Sequence, residues 1–191
     1  KAVQAGTIKP AIIVAAYDPT HFSMWTDSAD GTSNQASAVI HELLPYVEST
    51  YHVQPERRSR FLQGFSMGGF GAATLGLKHQ DLFGAITIWD GALHNWDTLN
   101  RGRPKIATNQ FSNDEQHFDD WSPWTWAERA DLTRTPILII SGLMVDFADR
   151  YTRHLTQLGA NLTRKSADCF HDLRCLERTY GQRAFQFLAK T

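Results

Sequence analysis

The sequence predicts an α/β fold, with a mostly parallel sheet covered by helices on both faces. Three observations lead there. Short, unbroken apolar runs recur at residues 11–16, 85–89 and 136–141, the pattern of strands buried on both faces. Segments with apolar residues at helical spacing alternate with them, and such alternation favours a parallel sheet. Finally, Gly64-Phe65-Ser66-Met67-Gly68-Gly69 falls where one strand would turn into the next helix.

The elements follow in order. Ala11-Ile12-Ile13-Val14-Ala15-Ala16 reads as the first buried strand, and residues 18–32 as polar and turn-rich. Ser33 or Asn34 is placed to cap a helix reaching about Tyr51, with Val39, Ile40, Leu43, Leu44 and Val47 on its apolar face. Pro45 falls inside that pattern and predicts a kink. Arg60-Phe61-Leu62-Gln63 is the next strand, followed by a helix ending near Lys78-His79. After the strand Ala85-Ile86-Thr87-Ile88-Trp89, residues 90–120 read as a long, polar, irregular loop. Ser122 as N-cap and Pro123 at the first helical position open a short helix. Residues 137–141 form a further strand, 147–158 a helix stopped by Gly159, 162–167 a last strand and 173–189 a closing helix.

The glycine-flanked serine carries the chemistry. A strand–turn–helix of this kind holds its serine at strained backbone angles, and the flanking glycines remove β-carbons that would collide. The hydroxyl then stands at a helix N-terminus, where free N–H groups favour developing negative charge. Serine still needs a base. His171 follows the last strand and precedes the last helix, and an acid between serine and histidine completes the order Ser…Asp…His. Asp146, just beyond the strand at 137–141, is the expected acid, with Asp149 one turn further on. In open parallel sheets chemistry gathers at the carboxyl ends of strands, where Ser66, Asp146 and His171 should all surface. His94 and His117 are the reserve bases. The N–H of Met67 is the first donor for an oxyanion; no Gly-rich loop precedes residue 11 to supply a second.

Composition excludes other classes. Nineteen Lys and Arg against twenty Asp and Glu leave a net charge of -1, which argues against nucleic acid as partner. No apolar run is long enough to span a membrane, and Lys1 begins no recognisable signal peptide, which leaves the compartment open. Cys169 and Cys175 flank His171 and are either a single disulfide or two buried thiols. Asp114, Glu115, His117, Asp119 and Asp120 lack a metal-ligand spacing and read as a solvated segment. Trp89, Trp96, Trp121, Trp124 and Trp126 read first as packing residues, and second as the wall of a substrate pocket.

With these residues in place, the chain resembles the putative esterase family of α/β-hydrolases, which holds esterase D, feruloyl and acetyl esterases and mycolyltransferases. Pro10-Ala11-Ile12-Ile13-Val14 resembles its proline-led strand, and residues 41–51 its proline-kinked helix. Residues 60–72 are similar to its elbow. Asp81-Leu82-Phe83-Gly84-Ala85, Ser122-Pro123-Trp124 and His171-Asp172 have counterparts there. The resemblance implies a serine ester hydrolase working on a small-molecule ester, with no cofactor and no metal. Ser66 would be the nucleophile, His171 the base, Asp146 the acid and Met67 an oxyanion donor. It implies a single domain over 1–191, matching the C-terminal two-thirds of such a fold, with a sheet edge open to pairing with a second copy. An acyltransferase using the same triad is the nearest alternative, and a catalytically impaired binding protein the other.

Overall fold

Five-residue apolar strands fill the centre of the sheet because their side chains are buried on both sides. The computed structural model describes residues 3, 4, 6 and 10–188. Strands β1 (Phe61–Phe65), β2 (Ala85–Trp89), β3 (Ile137–Ser141) and β4 (Leu162–Ser166) lie in that order, all parallel. Every residue of β2 and β3 is buried. Alternation along the strands splits the core in two. Ile86, Ile88, Ile137 and Ile139 pack with Ala72, Ala73 and Leu77 of α3 (Met67–Lys78) and with Ala148, Tyr151 and Leu155 of α8 (Val145–Gln157). On the opposite face Trp89, Leu138 and Ile140 pack with Leu176 and Ala184 of α9 (Leu173–Leu188). The α/β architecture with helices on both faces is therefore as the sequence predicts. The expected helix end at Ala189 lies outside the described residues.

The helix before β1 shows how Pro45 is accommodated. It runs from α1 (Gln35–Ser37) through a π-helical stretch (Ala38–Leu43) into α2 (Leu44–Thr50). Pro45 offers no N–H to His41. The turn just before it is widened, with Leu44 N–H reaching back to the Val39 carbonyl.

Two expectations need correction. Residues 11–16 form no strand: Ile12, Ile13 and Val14 are exposed, Ile13 by 69%. An apolar run becomes a strand only where a neighbour accepts its ladder hydrogen bonds, and β1, the edge on that side, pairs with β2 alone. Residues 90–120 are not irregular. They hold α4 (Trp96–Gly102), α5 (Pro104–Phe111) and α6 (Glu115–Trp121). A capping box of Asn95 and Thr98 opens α4, Pro104 opens α5, and the Asp114 carboxylate caps α6. Leu99, Ile106, Ala107, Phe111 and Phe118 bury the inner faces of these helices beside Phe70 of α3. The helix Pro123–Arg129, α7, begins at the expected Ser122 cap.

Candidate active site

Strand register brings the site together. Phe65 pairs with Trp89, so Ser66 and Asp90 leave the carboxyl ends of adjacent strands side by side. Both turn at once into positive φ, 56° at Ser66 and 43° at Asp90, a conformation that is costly without glycine. At Ser66 the turn has no room for side chains next door: a β-carbon on Gly64 would stand 1.9 Å from the Gly68 carbonyl oxygen. The Ser66 carbonyl accepts from Ala92 N–H at 2.9 Å, fastening the loop after Asp90 to the elbow. Met67 is the first residue of α3, so its N–H lacks an intrahelical acceptor and is free to meet an oxyanion.

His171 links the two strand ends. Its Nε2 lies 2.8 Å from Ser66 Oγ and its Nδ1 lies 2.6 Å from Asp90 Oδ2. Asp90 is fully buried, and its other oxygen accepts Gly142 N–H and Met144 N–H, both at 2.8 Å. All the carboxylate's work is thus directed: one oxygen holds the start of α8, the other the imidazole. The Phe65 ring stacks on the imidazole at 4.4 Å and 27°. A disulfide joins Cys169 to Cys175 across the histidine loop, and the Asp172 carboxylate accepts from Arg174 N–H and Cys175 N–H at the start of α9. Gly142 lets that loop close, since a β-carbon there would stand 2.4 Å from the Cys169 carbonyl oxygen.

Asp146, the expected acid, is not the partner of His171. It is exposed in the first turn of α8, where its carbonyl accepts from Arg150. Asp149 is paired with Arg164 at 2.9 Å. The reason is positional: β2 lies next to the nucleophile strand and β3 one strand further off, so Asp90 arrives beside Ser66 without any loop excursion. Asp90 directly follows the strand 85–89 and opens the long polar stretch, which masked its position.

The reserve histidines do other work. His94 is buried with its ring edge-on to Phe147, 4.6 Å away, and Nδ1 3.3 Å from Thr98 Oγ1. Burial first, then the positive charges of Arg103 and Arg150, push its pKa down to about 4, so it is neutral at pH 7. The His117 ring contacts the Asp27 carbonyl at 2.9 Å. All five tryptophans have packing or hydrogen-bonding roles. Trp89 donates to Gln63, Trp96 packs on Phe118, and Lys78 lies over the Trp121 and Trp126 rings. Trp124 donates to the Leu93 carbonyl and lines a groove of about 360 Å³ with Asn95, Arg150, Arg153, His154 and Gln157, which holds none of Ser66, His171 and Asp90. The tryptophan beside the elbow is Trp25, in the stretch read only as turn-rich.

Over residues 2–173 the sequence matches the family described as Putative esterase. The chain belongs to that family. It is accordingly an enzyme of the carboxylic ester hydrolase class. Solved structures of similar fold include a ferulic acid esterase, with a TM-score of 0.77 and 19% identity over 99% of this chain and 74% of that one. The fluorophosphonate-binding serine hydrolase FphF of Staphylococcus aureus superposes with a TM-score of 0.68, 16% identity and coverage of 88% and 68%. For an S-formylglutathione hydrolase of Agrobacterium tumefaciens the values are 0.70, 17%, 88% and 62%. At these identities the likeness is one of fold. Among the described residues of this esterase, no helix is long and apolar enough to cross a membrane.

Proposed function

We propose that this esterase cleaves small carboxylic esters through an acyl-enzyme on Ser66, with His171 as base and Asp90 as the acid that orients it. The observation that carries the reading is the unbroken chain Ser66 Oγ–His171–Asp90 at 2.8 and 2.6 Å. As Oγ attacks the ester carbonyl, its proton passes to Nε2, and the oxyanion meets the Met67 N–H. Collapse breaks the ester C–O bond, and the alcohol leaves with the proton from Nε2. Water then enters by the reverse sequence: it loses a proton to Nε2 as it attacks the acyl carbon, and the acid departs as Ser66 regains its proton. Asp90 holds Nδ1–H throughout and stabilises the imidazolium. Part of the His171 side chain, 29%, is open to solvent, which gives water a route to the base.

The test is labelling by a fluorophosphonate together with p-nitrophenyl acetate hydrolysis. Labelling and turnover that both vanish in Ser66→Ala support the proposal. A folded parent protein that neither labels nor turns over overturns it.

A further inference from the structure

Trp25 occupies a conformation that a bulky residue rarely adopts, and it does so next to the nucleophile. Its φ is 60°, and that of Met24 is 53°. Such left-handed backbone is unfavourable for long side chains and persists only where surroundings impose it. The surroundings here are specific. The Asp18 carboxylate accepts from Ser23 N–H and Oγ–H, and Ser23 Oγ in turn accepts from Trp25 N–H at 3.0 Å. On the other side, the Gln110 side chain donates to the Thr26 carbonyl and hydroxyl. Met24, 2% exposed, anchors in the cluster of Phe70, Phe111 and Phe118. The clamp turns Met24 inward and Trp25 along the first turns of α3.

Trp25 lies along two glycines of that helix, and the second, Gly71, makes room for it. A β-carbon on Gly71 would stand 2.3 Å from the Trp25 Cβ, and one on Gly68 would stand 3.7 Å from Trp25 Nε1. Gly68 is two residues past Ser66, at most about 7.6 Å between Cα atoms, and directly follows the oxyanion donor Met67. The indole N–H has no hydrogen-bond partner among the described residues, and Trp25 is half-buried. The indole N–H is not among the buried polar atoms left without a partner, so it is open to solvent and available as a donor to an ester bound at Ser66.

We propose that Trp25 is a substrate-contacting residue of this ester site. Its ring forms the wall on the Gly68 side, and its indole N–H donates to a polar atom of the bound ester. This rests on Ser66 being the nucleophile. The chemistry favours esters that carry a further acceptor besides the reacting carbonyl, such as the nitro group that p-nitrophenyl acetate holds across the ring from its ester oxygen.

The experiment compares the parent with Trp25→Phe, which keeps an aromatic ring and removes the donor, and Trp25→Gly, which suits the positive φ and guards against a variant that fails to fold. Melting temperature, fluorophosphonate labelling of Ser66 and p-nitrophenyl acetate kinetics are read for each. The expected result is retained folding and labelling, with kcat/KM lower by about fivefold in Trp25→Phe, the scale of one lost hydrogen bond, and by more in Trp25→Gly. If a parent that labels and turns over is matched within twofold by both folded variants, the inference about Trp25 falls while the Ser66 reading stands. If the parent itself does not label, both fall. A drop in melting temperature with unchanged kinetics also overturns it, since that is what a packing residue would show.

Discussion

Two loops leave the carboxyl edge of the sheet from neighbouring strands, and each carries an aspartate close to its start. After β2, Asp90 is fully buried and both its oxygens are engaged by named groups: Gly142 N–H, Met144 N–H and the His171 ring. After β3, Asp146 is exposed and forms part of a helix's first turn, near the positive end of the α8 dipole. The two residues share chemistry and edge but not environment. A carboxylate orients an imidazole only when it is itself held, and holding needs donors that water cannot replace. Burial and satisfied hydrogen bonds, not chain order, separate an orienting acid from a helix-terminal one.

The sharpest way to break this comparison is to neutralise each acid in turn. Asparagine is the right substitution at position 90, because its amide oxygen can still accept from Gly142 and Met144. Alanine would leave both buried N–H groups without a partner and cost stability as well. Asp90→Asn presents an amide to His171 Nδ1 and holds the wrong tautomer, so p-nitrophenyl acetate turnover should fall on the order of 10³–10⁴ with little change in melting temperature. Asp146→Asn should leave turnover within about twofold, as for an exposed substitution away from reacting groups. Equal losses in the two variants, or a larger loss at Asp146, would reverse the assignment.

The same contrast explains what could be read from residues alone. The central strands, α3, α8, α9 and the elbow were legible because burial on two faces and helical spacing leave marks in the local sequence. The placement of Ser66, Met67 and His171 was legible for a similar reason: each is tied to a strand or helix end that its own neighbours define. The placement of Asp90 beside Ser66 was not, because it depends on β1 and β2 being adjacent in register, a fact of pairing rather than of local pattern. Residues 11–16 failed in the opposite direction, since an apolar run states a preference for burial but not whether a neighbour is present. Trp25 was invisible for a third reason. The fit of its indole against Gly68 and Gly71 joins segments more than forty residues apart. The fourth elbow glycine, Gly71, was the available signal, an unexplained loss of side chain inside a helix.

The histidine arm of the proposed triad offers a smaller test. Its loop is closed by the Cys169–Cys175 disulfide, six residues apart in sequence, with Cys169 in the core beside Trp89 and Leu138. Closing so short a loop restricts the unfolded chain by about 2 kcal/mol. The paired replacement Cys169→Ser with Cys175→Ser should lower the melting temperature by roughly 4–8 °C for a chain of this size. Turnover should fall several-fold with KM little changed, because the looser loop holds Nε2 at Ser66 for less of the time. A loss of melting temperature with full kcat would show that Phe65 stacking and Asp90 alone position His171.

The least expected effect lies where the two loops touch. His94, from the loop after β2, meets Phe147 of α8 edge-on. Its pKa is pushed down to about 4 by burial and by Arg103 and Arg150, against an unfolded value near 6.5. The unfolded chain therefore takes up this proton first as pH falls. The stability from a neutral His94 is fully present above pH 6.5, is lost progressively between 6.5 and about 4, and changes no further below that. His79 shifts in the same direction through burial, so the informative quantity is a difference between proteins. Between pH 7 and pH 5 the parent's melting temperature should fall more than that of His94→Gln, which cannot take up the proton. Parallel pH profiles would mean that the contact between the two loops opens to solvent, and that the packing of α8 against the loop after β2 is weaker than the buried ring implies.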